Sequence, residues 1–141
     1  MAVVAFMLLV AGCAGGGQSS ASQSGPPPVL ELPTPAPGAD HGSVLLLWDA
    51  HEYHPSVPVR GRLGVDEHGC FVLGDRLLEA AIGSKIIDGG RGADIRNLGR
   101  VRLGQVLTVN AELSTIGHPL GADQTTCLSG RTSVPVLVID S

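Results

Sequence analysis

Aromatic side chains are nearly missing from this sequence. Phe6, Trp48, Tyr53 and Phe71 make up 3% of its 141 residues, which excludes a core built on stacked rings and leaves one built from Val, Leu, Ile and Ala. Such aliphatic, often β-branched stock favours strands. Charge is also scarce: charged residues are 16% of the chain, nine basic against thirteen acidic, for a formal net charge of −4. Nucleic-acid binding normally rests on a basic excess, so a nucleic-acid partner is set aside. No apolar run is long enough to span a bilayer, which takes about 20 residues. The longest contains the nine apolar residues from Ala2 to Val10. With a removable leader set aside, about 100 residues remain, room for one domain and no second core.

The apolar run is the right length for the core of a signal peptide. It is followed by Leu9-Val10-Ala11-Gly12-Cys13, a branched residue three before a cut, small residues beside it, then cysteine. This stretch resembles the lipobox of bacterial lipoproteins, with Val10, Ala11, Gly12 and Cys13 all matching. The resemblance implies cleavage between Gly12 and Cys13, thioether attachment of a diacylglycerol to Cys13, and often acylation (palmitate or similar) of the new amino terminus. Two or three acyl chains give stable anchoring. One departure is that Met1-Ala2-Val3-Val4 opens without the Lys or Arg such signals begin with, as it would if the true start lay upstream.

Gly15 to Ser24 is all Gly, Ser, Gln and Ala, and six prolines follow between Gly25 and Gly38. That composition predicts a disordered linker, flexible first and then stiffened by polyproline character. The expected organisation is therefore a signal peptide over 1–12, a lipidated cysteine and linker over 13–42, and a β domain over 43–141.

From Ser43 onward the hydrophobic pattern has period two. Val57, Val59, Gly61, Leu63 and Val65 alternate with Pro58, Arg60, Arg62 and Gly64, and Leu107, Val109, Ala111 and Leu113 alternate with Thr108, Asn110 and Glu112, each a half-buried strand. Ser43 to Trp48 and Val134 to Ile139 are continuous apolar runs, as in strands covered on both sides or closing a barrel. Turn signals stand between them at Asp66-Glu67-His68-Gly69, Gly74-Asp75, Asp88-Gly89-Gly90, Leu103-Gly104-Gln105 and Gly117-His118-Pro119. Asp75 to Ala81, rich in helix formers, is left open between helix and strand. Six or so short strands with glycine-rich turns predict an all-β fold, a small antiparallel barrel closest to the OB type, with a small β-sandwich as the alternative. Arg62-Leu63-x-x-Asp66-x-x-Gly69-Cys70-Phe71-Val72-Leu73, followed by Val101-x-Leu103-Gly104-Gln105-Val106-Leu107, resembles small uncharacterised secreted β domains of bacteria. The resemblance covers about half the domain and brings no activity with it.

Once Cys13 is lipidated, Cys70 and Cys127 are the only cysteines left. Outside the cytosol disulfides persist, so these two are expected to pair. Neither is flanked by the basic groups that activate a catalytic thiol.

Four constellations bear on chemistry. Asp49-Ala50-His51-Glu52-Tyr53-His54, with His41 upstream, offers His51 and His54 as weak candidates for Zn²⁺ or Cu²⁺, but Pro55 ends the segment and a solvated loop fits it better. Cys127-Leu128-Ser129-Gly130 and Ser114-Thr115 lack the paired glycines of a nucleophile elbow, and Asp66-Glu67, adjacent, cannot form a facing carboxylate pair on a strand. Gly89-Gly90-Arg91-Gly92 lacks both the dinucleotide spacing and the P-loop lysine. The last is a pair of arginine stripes: Arg60 with Arg62, and Arg100 with Arg102, each two apart on one strand face, with Arg91 and Arg96 between them in sequence. If the strands are neighbours, the four guanidinium groups make a possible anion-binding patch for lipid headgroups, wall phosphates or an acidic partner.

These readings predict a cell-envelope lipoprotein, anchored on the extracytoplasmic side of the cell membrane and working without enzymatic activity or cofactor. Its expected role is a binding or adaptor module for an envelope protein, wall polymer or small ligand. The alternative from the same residues is a metal-binding or hydrolytic lipoprotein using the His51/His54 segment.

Overall fold

The structure, a computed structural model, describes residues 25–48, 55–116, 125–131 and 133–139. In chain order the elements are β1 (Leu30–Glu31), β2 (Leu46–Trp48), β3 (Val57–Val65), β4 (Phe71–Leu73), β5 (Arg76–Ala81), β6 (Lys85–Ile87), β7 (Gly92–Ile95), β8 (Gly99–Arg102), β9 (Val106–Ile116), α1 (Thr125–Leu128) and β10 (Val134–Ile139).

Five of these strands close into a barrel in the circular order β3-β4-β5-β10-β9, with β9 returning to β3. Numbered within the barrel, the order is 1-2-3-5-4-1, the Greek-key order of the OB type. Four seams are antiparallel as expected; the fifth, β5 against β10, is parallel, with Val136 opposite Leu77 and Val138 opposite Glu79. The alternation read along 57–65 fits the pleat: Val59, Leu63 and Val65 are buried inside while Arg60 and Arg62 face water. Strand β9 does the same with Leu107, Val109 and Ala111.

Strand β10 has no alternation because both of its faces are covered. Leu137 and Ile139 enter the barrel core with Leu63, Phe71, Leu73 and Leu78. Val134, Val136 and Val138 point outward into a second cluster with Leu46, Val72, Leu77, Cys70 and Cys127. The open segment at 75–81 is a strand for the same reason. Its residues favour helix locally, but from Leu77 to Ala81 all are buried, held between β4, β10 and β2. Tertiary burial overrides propensity here.

Strands β6, β7 and β8 form a separate antiparallel sheet between β5 and β9. Ala93, Ile95 and Val101 from this sheet join the barrel core, so it caps the end where β5 stops and β9 starts.

The last part of the stretch expected as linker lies along the barrel. Strand β1 pairs in parallel with β3, Leu30 opposite Val59. Beyond it the Leu32, Ala39 and Gly42 amides donate to the carbonyls of Arg60, Asp66 and Gly90. Gly42 passes so close to the barrel that a Cβ there would stand 2.3 Å from the Phe71 ring. Proline composition suggests a tether because prolines cannot donate to a ladder. Here Leu32, between the prolines, and Ala39 and Gly42, after them, supply the bonds, and the folded unit begins before Ser43.

Candidate functional site

In barrels of this order ligands commonly occupy the outer face of the second and third strands, between the loop joining strands one and two and the loop joining strands four and five. Here that face belongs to β4 and β5, and the chain itself fills it. Val72 and Leu77 pack beneath Cys127 and Leu128 of α1. The two flanking loops, Asp66 to Cys70 and the β9–β10 connection, are joined by a disulfide between Cys70 and Cys127, with Cα atoms 5.8 Å apart. Both cysteines are fully buried.

The first of these loops is fixed by one side chain. Asp66 Oδ1 accepts hydrogen bonds from the amides of His68 (3.0 Å) and Cys70 (2.8 Å), which holds Cys70 in place for the bridge. Asp66-Glu67 is therefore a turn, as the sequence suggested. The second loop is closed by Arg131, whose guanidinium donates to the carbonyls of Leu128 (3.3 Å) and Cys127 (3.2 Å) at the end of α1.

With that face filled, an opening lies beside it. A groove of about 310 Å³ runs between Pro35-Ala36-Pro37 of the strap and the turns at Asp66-Glu67-His68 and Gly74-Asp75, with Arg131 at its edge. His68 Nε2 stands 3.3 Å from Glu67 Oε1. No hydroxyl or thiol lines the groove among the described residues. Its described lining is mixed in charge, with Asp66, Glu67, Asp75, His68 and Arg131 beside the two prolines.

The arginine stripes each keep one face, but the two strands do not neighbour each other. Arg60 and Arg62 are exposed on β3 of the barrel, Arg100 and Arg102 on β8 of the capping sheet, and no ladder joins β3 to β8. Each stripe also has partners of its own. Arg60 lies 3.6 Å from Glu31, Arg102 lies 3.9 Å from Asp88, and Arg62 donates to the Gly104 carbonyl. Arg100 stands opposite Asp94 in the β7–β8 ladder.

Cys13, His51 and His54 lie outside the described residues. His41 is exposed, and among the described residues no group of three or more His, Cys, Asp or Glu is placed to hold a metal ion. The glycines at 89, 90 and 92 form the tight turn between β6 and β7. Ser129 sits just past α1 in a left-handed conformation, φ 50°.

Two residues that sequence reasoning passed over stand out. Glu79, 6% exposed, lies in β5 between Leu46 of β2 and Val138 of β10, and Val138 in turn pairs with Glu112 of β9. Burial, then the nearby Glu112 carboxylate, raises its pKa above the usual carboxylate value. Arg76, at the start of the same strand, has a buried Nε with no hydrogen-bond partner. The only signal for either was the unresolved choice between helix and strand at 75–81.

Fold and site together define a small closed five-strand β-barrel of OB order, strapped by its own N-terminal segment and stapled across its two loops. No family model matches the chain, and no curated protein and no solved structure gives a significant match.

Proposed function

We propose that this protein is a lipid-anchored cell-envelope lipoprotein whose barrel is a non-enzymatic binding or adaptor module. The observation that carries the reading is the fate of its three cysteines. Cys70 and Cys127 are joined in a buried disulfide, a bond that persists in oxidising compartments beyond the cytosol. Cys13 is left, at the position where Val10-Ala11-Gly12 resembles a lipobox and nine apolar residues resemble a signal core. Among the described residues no helix is long and apolar enough to cross a membrane. Acyl chains on Cys13 would then provide the attachment. The groove beside the β3–β4 turn suits a small ligand or a peptide of a partner protein.

The test is metabolic labelling with a fatty acid, combined with membrane fractionation, of the parent and a Cys13→Ser variant. The thiol is the acyl acceptor, so the variant should take up no label, keep its leader and leave the membrane fraction. Unchanged labelling or retention refutes the anchor.

A further inference from the structure

The two ends of the barrel differ. One is closed by the β6–β8 sheet, which packs Ala93, Ile95 and Val101 onto the core. At the other end β3, β5 and β10 begin and β4 and β9 finish, and no described element lies across it. The inward-facing positions at this mouth are apolar and open to solvent. Val57, the first residue of β3, is 39% exposed; Leu113, two residues beyond Ala111, which pairs with Val57, is 43% exposed; and Leu30, paired with Val59, is 39% exposed. Pro135, on the same face as the core residue Leu137, is exposed beside them. Arg76 shares the mouth, two residues before the core residue Leu78 on the same face of β5. Its buried Nε, without a partner, leaves a guanidinium donor set incompletely used.

We propose that this mouth rests on the lipid surface, its apolar rim entering the boundary between headgroups and acyl chains while Arg76 pairs with a lipid phosphate. The inference rests on the lipid-anchor reading. What favours a lipid surface over another occupant is the path of the chain, because the segment that leads from Cys13 enters the fold at this rim, through β1. Leu30 follows Cys13 by seventeen positions, so an anchored chain can hold the rim no farther than about 60 Å from the bilayer. Guanidinium binds phosphate through a planar fork, and amphipathic rims of this kind bind weakly unless a covalent anchor adds to them.

The test uses the full acylated chain in vesicles of phosphatidylcholine and phosphatidylglycerol, part of the phosphatidylcholine brominated on its acyl chains to quench nearby tryptophan. Val57→Trp is compared with Ile82→Trp, the control, since Ile82 is 49% exposed at the closed end. After subtraction of the parent signal, quenching of Val57→Trp should exceed that of Ile82→Trp by about twofold or more, and Leu113→Asp added to Val57→Trp should abolish the difference. Arg76→Gln should reduce quenching on both kinds of vesicle, and more on anionic ones, where the phosphatidylglycerol phosphate has no choline to compete for it; unchanged quenching on both removes Arg76 from the contact. Melting temperatures confirm that each variant is folded. Equal quenching at both positions, in a chain that carries fatty acid and floats with the vesicles, overturns the docking and leaves the anchor standing. A chain without fatty acid overturns the anchor, and the same variants mixed with vesicles at high concentration then decide the mouth by the same difference. A dimer in solution that Leu113→Asp dissociates assigns the mouth to a second copy and overturns the proposal.

Discussion

Removing the disulfide is the sharpest test of how this small aliphatic barrel is held together. Cys70 and Cys127 are 57 residues apart in sequence, and in the chain-entropy account closing a loop of that length stabilises the fold by about 4 kcal/mol. A domain of this size has a total stability of roughly 5–15 kcal/mol, so the bridge is a large share of it. For about 100 residues, each 1 kcal/mol moves the melting temperature by about 4–8 °C, which predicts a fall of about 15–30 °C. The double variant Cys70→Ala, Cys127→Ala avoids a stray thiol, but it also takes two sulfur atoms out of the second core cluster. The parent in reductant loses the bond and keeps the atoms. Thermal melting followed by circular dichroism should show a large fall for both samples, slightly larger for the double variant. If the reduced parent melts within about 5 °C of the oxidised one, the loops are held by packing alone and the entropic account fails.

Two further outcomes follow from particular contacts. Gly42→Ala places a methyl against the Phe71 ring, which is 1% exposed and has nowhere to go; overpacking of this kind costs about 1–3 kcal/mol, so the variant should melt several degrees earlier, whereas an unchanged melting temperature would show that the strap is not part of the fold. Glu79 has its pKa raised by burial and by Glu112, so the folded state holds a proton that the unfolded chain releases at lower pH. Its favourable contribution is complete below the unfolded carboxylate range and is lost as pH rises through the folded value. Glu79→Gln should therefore gain melting temperature over the parent as pH is taken from 4 to 8, and a gap that stays constant across that range contradicts the assignment.

The barrel strands were legible where one face is wet. Residues 57–65 and 107–113 alternate because Arg60, Arg62, Thr108 and Asn110 meet water, and burial follows that alternation from Val59 to Val65 and from Leu107 to Ala111, while Val57 and Leu113 are exposed at the mouth. Strand β10 could be read only as an apolar run, and β5 only as a segment open between helix and strand, since two core clusters cover both their faces. Their parallel pairing joins residues more than fifty positions apart, which no local pattern records. The strap is the clearest case of composition misleading. Its prolines suggest a tether, while the amides of Leu32 and Ala39 bind the barrel and that of Gly42 binds the turn before β7. The arginines show the limit of periodicity. A spacing of two puts Arg60 with Arg62 and Arg100 with Arg102, but sequence does not say which strands adjoin, and β8 lies in the capping sheet.

The site is shaped by the same non-local contacts. An OB barrel usually offers ligands the face of its second and third strands, and loops free to adapt. Here the bridge ties both loops, and α1 lies on that face. On the proposed reading, recognition is left to the groove beside that face and to the open mouth. The groove has Pro35 to Pro37 as one wall, so it exists only while the strap is in place. The open mouth, by contrast, is bounded mainly by Val57, Leu113, Pro135 and Arg76, which belong to the barrel. Variants that lift the strap, such as Gly42→Ala, should therefore damage stability and groove binding together. Variants at the exposed rim should alter lipid contact while the fold stays intact. Separation of those two effects distinguishes a module with two working surfaces from a barrel whose exposed residues are only its boundary.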